Sequence, residues 1–193
     1  MRDRIAAYFD ALDRVTRNVE CAAANGETLS IQDAFARVRD AAHAAHDRGA
    51  KIMFIGNGGS AGICSHMATD FSNRGGLRST AFNDGSALTC LGNDLGYENV
   101  FAKQIEWHGR PGDLLIAISS SGRSRNILKG VETAQAQGCG VATFSGFEED
   151  NPLRKKGEVN FYVRSRQYGL VEVAHQALIH AILDLDTGWN PEH

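Results

Sequence analysis

KIMFIGNGGSAG, residues 51–62, passes from an apolar run straight into a glycine-rich turn, and GDLLIAISSSGRSRN, residues 112–126, does the same with serines. A strand that ends in small residues and then opens a helix presents free backbone N–H groups and the positive end of a helix dipole. That arrangement holds an anion. Two of them in one chain of 193 residues point to a phosphorylated metabolite held between adjacent loops.

The first loop is not a Walker A motif, because no Gly-Lys-Ser/Thr follows it. It satisfies a loose G-x-G-x-x-A through Gly56, Gly58 and Ala61, with Asp84 where a ribose-binding acid would sit. A dinucleotide site of that kind leaves 118–126 unexplained. Glycines that merely close a tight turn between strand and helix are the plainer alternative for either loop alone. In the second loop Ser119, Ser120, Ser121 and Ser124 supply hydroxyls beside Gly122, which permits close backbone approach. Neutral hydroxyls and N–H groups suit a phosphate monoester that must bind and then leave, with no need for Arg123 or Arg125 to touch it.

Outward from the loops, apolar runs at 51–55, 79–82, 113–118, 140–144 and 159–163 are short enough to be strands, with helical patterns between most of them. This alternation predicts a parallel sheet covered on both faces. Residues 2–25 carry Ile5, Tyr8, Phe9, Leu12, Val15 and Val19 at helical spacing, which predicts an amphipathic helix ended by Asn25-Gly26. Ser30 starts a second helix to about Arg48, with Asp33 at the acidic capping position. A last helix runs from about Leu170 to Leu185. The whole chain, 1–193, reads as one domain, with a core over 30–187 and a segment over 1–29 that serves subunit packing.

A net charge of −3 and the absence of a Lys/Arg cluster argue against nucleic acid; Arg154-Lys155-Lys156 reads as a solvated surface patch. No stretch approaches the ~20 apolar residues of a membrane span, and the first residues lack a signal-peptide core. Cys21, Cys64, Cys90 and Cys139 are widely spaced, form no CxxC pair and read as reduced thiols. The expectation is a soluble, cytoplasmic protein.

GNGGSAG, the His66-x-x-x-Asp70 spacing after it, SALTCLGND at 86–94, RPGDLLIAISSSGRSRN at 110–126 and the His-bearing final helix resemble, in one collinear order from about 30 to 185, the sugar isomerase (SIS) fold. Within it they look most like the phosphoheptose isomerases. The resemblance implies a flavodoxin-like parallel five-stranded sheet with helices on both faces and a homotetramer with interfacial active sites. It also implies conversion of sedoheptulose 7-phosphate to D-glycero-D-manno-heptose 7-phosphate. It gives substrate contact to Asn57, Gly58, Gly59 and Ser60 in the first loop, to Asn93 and Asp94, and to Glu172. Phosphate falls to Ser119, Ser120, Ser121 and Ser124. Proton transfer is assigned to Asp70 and His180, and a zinc or other divalent metal to His66, Asp70, Glu172 and His180. The family has Glu where this chain has Asp70 and Gln where it has Glu172. The loop after Asn73-Arg74 is shorter, and RSRQYGLV at 164–171 replaces the usual segment.

Ketose–aldose isomerisation moves a proton between two carbons through an enediol(ate), which needs a base, a second proton shuttle and a stabiliser for the developing oxyanion. A carboxylate with a histidine covers the first two. His66 and Asp70, at i and i+4, share a helix face about a turn and a half to two turns below a phosphate at the helix start. Two histidines and two carboxylates suit a divalent ion, although residues 172 and 180 stand roughly 12 Å apart along a straight helix. A core histidine at 66 and a helix-face histidine at 180 satisfy the same spacing. His175 reads as structural, and Trp107 and His108 as packing or surface residues. Two other readings stay open: a non-catalytic SIS binding protein that associates with a replication initiator, and an isomerase of a different sugar phosphate accommodated by Arg164 and Arg166.

Overall fold

The apolar run that opens the glycine loop is a central strand whose side chains divide between two cores. In the computed structural model, which describes residues 1–192, Ile52 and Phe54 face one hydrophobic cluster while Met53 and Ile55 face the other. Strands buried on both faces belong to a parallel sheet clad by helices. In chain order the elements are α1 (Arg2–Arg17), β1 (Glu20–Ala23), β2 (Thr28–Leu29), α2 (Ile31–Asp47), β3 (Ile52–Gly56), α3 (Gly59–Asn73) and β4 (Ser79–Ala81). They continue with α4 (Gly85–Leu95), α5 (Val100–His108), β5 (Leu114–Ser119), α6 (Arg125–Ala136), β6 (Gly140–Gly146), β7 (Val159–Val163) and α7 (Tyr168–Asp186).

The strands expected from the five apolar runs are all present and all parallel, in the order β4-β3-β5-β6-β7. This is the flavodoxin-like arrangement, and its direction of winding reverses between β3 and β5. The loops that follow those two strands are the two quoted at the outset, so the fold brings them together at the one crevice where this sheet type binds ligands. On one face α2, α3 and α7 contribute Val38, Met67 and Leu178 to the core; on the other, α5 and α6 contribute Phe101, Ile105 and Val131. Phe144 and Phe161 stack face to face between β6 and β7, centroids 4.5 Å apart.

Two expectations are corrected. The sheet has seven strands, not five, because β1 and β2 extend it beyond β7 in the order β2-β1-β7. Both pairings are antiparallel. The first helix ends at Arg17, not near residue 25. Beyond Asn18 the period changes from helical to two: Cys21 and Ala23 are buried and their neighbours are not. Asn25-Gly26 is the turn of a hairpin, with Gly26 at φ 83° and Ala23 N–H donating to the Glu27 carbonyl at 2.8 Å. An Asn-Gly step between short apolar runs is the strongest local hairpin signal, and the register of β1 against β7 covers what would be an open sheet edge. α2 begins as expected, with the Ser30 hydroxyl accepting from Asp33 N–H at 3.0 Å.

Candidate active site

Each loop is shaped by a glycine that tolerates no side chain. At Gly56 a Cβ would lie 2.7 Å from the Ser60 backbone, so the turn into α3 closes tightly. Gly58, at φ 54°, is the N-cap of α3 and offers no side-chain cap. Ser124, the N-cap of α6, likewise makes no capping hydrogen bond. Both helix starts are therefore left with donors for a ligand. In the second loop Gly122 N–H donates to the Ser119 carbonyl at 2.9 Å. At φ 61° the space a Cβ would need is filled by the side chain of Asn151. Asn151 is fully buried and donates to the Ser145 hydroxyl and to the Gly146 and Glu148 carbonyls.

Between the loops lies a cleft of about 230 Å³. Asn57, Gly58, Gly59 and Ser60 form one wall; Ser119, Ser120, Ser121 and Ser124 form the other. Glu172, Tyr168 and Ile118 complete it. The Ser119 and Ser124 hydroxyls are 3.2 Å apart. Ser120 Oγ is buried with no hydrogen-bond partner, which costs about 1–3 kcal/mol unless a ligand satisfies it. Arg123 is paired with Asp150 at 2.6 Å on the surface.

α3 and α7 start together and run on side by side. At the start of α3 the Glu172 carboxylate of α7 packs on Gly59, in the space a Cβ would take. Further along, His66 Nε2 lies 3.5 Å from Asp70 Oδ2, and His180 Nδ1 lies 3.9 Å from the same oxygen. The two imidazoles meet edge to face, centroids 5.1 Å apart. His66 lies roughly 10 Å down the helix from Gly59, two turns as expected, and Asp70 roughly 16 Å, a turn deeper. Helical side chains lean toward the N-terminus, which brings Asp70 back toward His66. Ligand atoms of His66, Asp70 and His180 all lie within 4.8 Å of one another. This is two imidazoles and a carboxylate, the donor set of a zinc-like ion with a position left open. Glu172 is not in this group; it lines the cleft instead, as its distance along α7 requires. With a side chain half exposed, His66 is no core histidine.

Other residues named from the sequence lie elsewhere. Asn93 and Asp94 are exposed on α4, bonded to each other at 2.9 Å, and do not line the cleft. Asp84 caps α4 by accepting from Ala87 N–H at 2.8 Å, which spends the carboxylate a dinucleotide reading would need. Arg164 pairs with Glu20 and Glu149, and Arg166 with Glu148, so neither lines the cleft. His175 is fully buried, and its Nε2–H donates to the Ser145 carbonyl at 3.0 Å. Burial pushes its pKa down to about 4. Trp107 and His108 close α5, away from the cleft, with Lys103 over the indole at 5.6 Å. Sequence reasoning missed Tyr168, Asn126 and Asn151. An Asn two residues past the N-cap, and another between Asp150 and Pro152, were the available signals. Among the described residues no helix is long and apolar enough to cross a membrane.

Known proteins share this arrangement. The SIS domain family model matches residues 8–146. Phosphoheptose isomerase from Rhodospirillum rubrum is 34% identical over 96% of this chain and 96% of its own length. The solved phosphoheptose isomerase from Neisseria gonorrhoeae superposes with a TM-score of 0.81 at 30% identity, covering 96% of this chain and 98% of that one. The enzyme from Francisella tularensis gives 0.82 at 25% identity over 97% and 98%. Its fold, its cleft and these similarities together establish that the chain belongs to the SIS-domain family, among the phosphoheptose isomerases.

Proposed function

We propose that the protein is an aldose–ketose isomerase of a phosphorylated sugar, converting sedoheptulose 7-phosphate to D-glycero-D-manno-heptose 7-phosphate. The observation that carries this reading is the pairing of an anion cleft, with its unpartnered Ser120 hydroxyl, to a His66–Asp70–His180 cluster on the same two helices. The phosphate enters between the glycine and serine loops, at the starts of α3 and α6, where neutral donors hold it. The sugar lies along α3 toward the cluster. Asp70 takes the proton from the carbon next to the carbonyl and returns it to the neighbouring carbon. His180, beside it, moves the hydroxyl proton. Glu172 accepts hydrogen bonds from sugar hydroxyls at the upper end. His66, Asp70 and His180 would hold a divalent ion, zinc in the first instance, which when bound supplies positive charge to the developing oxyanion.

A homotetramer with active sites completed between subunits fits α1, on which no residue is buried. Of residues 1–29, α1 would serve that packing, whereas β1 and β2 belong to the sheet and its core. Four unpaired cysteines support a reducing, cytoplasmic setting.

The test is incubation with sedoheptulose 7-phosphate and a divalent metal, with the aldose followed by chromatography. Product formation supports the reading, and none over hours at micromolar enzyme overturns it. Chelation followed by dialysis should lower turnover at least tenfold, and added zinc should restore it. Unchanged turnover with no bound metal would exclude the metal role.

A further inference from the structure

We propose that Asn126 is a positioning residue, whose side-chain amide, paired with that of Asn57, fastens the two anion-binding loops into one cradle. Asn57 follows β3, and Asn126 lies two residues past the Ser124 N-cap of α6. Asn57 Nδ2 donates to Asn126 Oδ1 at 2.9 Å, and Asn126 Nδ2 donates to Asn57 Oδ1 at 2.8 Å. Asn126 is 3% exposed, whereas Asn57 is half-buried in the cleft wall, so the reciprocal pair runs from the wall of the cleft into the protein behind it.

The orientation of the pair is determined by its neighbours. Ile127 N–H donates to Asn126 Oδ1 at 3.0 Å, which identifies that atom as the oxygen and turns Nδ2 toward Asn57. Tyr97 Oη lies 3.1 Å from Asn57 Oδ1 and donates to it. Asn57 Oδ1 thus accepts two hydrogen bonds, its full capacity, and its side chain is locked. Among the described residues this is the only side-chain hydrogen bonding between the first loop and the start of α6. Without it, the free N–H groups of α3 and the serine hydroxyls keep their chemistry and lose their fixed separation. A phosphate bound by both would feel that loss, although Asn126 itself lines no part of the cleft.

The kinetic part of this inference rests on the isomerase reading; the binding part does not. The experiment is a double-mutant cycle on the full chain with Asn57→Ala, Asn126→Ala and the double variant. Inorganic phosphate binding is read by calorimetry, and KM and kcat are read with sedoheptulose 7-phosphate. Asn126→Ala should raise the phosphate Kd and the KM about tenfold, the scale of one or two lost hydrogen bonds, with kcat changed less than KM. The double variant should be no worse than the poorer single, because both remove the same link. Kd and KM within twofold of the wild type, or single effects that multiply in the double variant, would overturn the proposal. Asn126→Asp keeps the shape and the bond from Ile127, loses the donor to Asn57, and repeats the test if the alanine variant does not fold. Failure of both to fold assigns Asn126 to the fold alone and overturns the proposal. A wild type that binds phosphate without turnover counts against the isomerase reading and leaves the calorimetric cycle to decide Asn126. A wild type that binds no phosphate removes the cradle, and the proposal with it.

Discussion

Asp70 stands between two histidines, within 3.5 Å of one and 3.9 Å of the other, and no other carboxylate joins that group among the described residues. Asp70→Asn keeps the size and removes the base, so kcat should fall by about 10²–10⁴ while inorganic phosphate still binds at the other end of the site. Equal loss of phosphate affinity would contradict the division into two ends. Gly122→Ala tests the anion end: it places a side chain at positive φ and drives it into Asn151. It should destabilise the fold by about 2 kcal/mol or more and weaken phosphate binding, both measurable by calorimetry. His175 gives a pH prediction. In the unfolded chain its imidazole takes up a proton near its ordinary 6.5, whereas burial in the fold holds it neutral down to about 4. The unfolded state therefore binds the extra proton between these values, and stability falls as pH falls through that window, by on the order of 3 kcal/mol. Against His175→Gln, the wild type should be the more stable at pH 7, and the gap should close toward pH 4.5. A gap independent of pH would remove this role.

At the scale of elements, the sequence was legible wherever one physical signal decided the outcome. β3, β5, β6 and β7 are buried on both faces, so their apolar runs needed no alternation to be recognised. Ser30 and Asp33 marked the start of α2 because capping is local. β1 was hidden because its four residues follow directly on a helix whose apolar stripe runs into them, and because strand pairing with β7 is a long-range event. Glu20 shows the cost of reading locally. It looks like one more polar residue of a helix, yet it joins β1 to Arg154 and Arg164, at 2.5 and 2.7 Å. The site followed the same rule. The loops were readable because glycine and serine next to a strand end have few other uses. Glu172 enters the His66 group as a fourth ligand only through the family resemblance, although its roughly 12 Å from His180 along the helix already speaks against it. Asn151 stayed hidden because its role depends on a loop almost thirty positions earlier.

For the whole molecule, the outermost strands are β4, three residues long, and β2, two residues long. Such short edges leave little backbone for another chain to pair with, so the proposed tetramer would have to use helix faces. α1 offers one: Ile5 and Phe9 are 52% and 62% exposed, and the helix rests on α7, which carries Tyr168, Glu172 and His180 of the candidate site. Replacing both residues by glutamate should reduce the mass seen in light scattering to that of one chain, with turnover falling alongside it if a neighbour completes the cleft. An unchanged mass would rule out α1 as the contact. The side-by-side course of α3 and α7 also makes the site a ruler. The gap between anion and acid is counted out in helical rise, roughly 1.5 Å per residue, and each residue also turns the helix by about 100°. One residue inserted between Gly59 and His66 would swing the histidine away from α7, whereas an insertion near a whole turn would restore its bearing at greater depth. An insertion in α3 can therefore lengthen the gap between anion and acid only in steps of about one turn, roughly 5.4 Å, which is several carbon–carbon bonds at once.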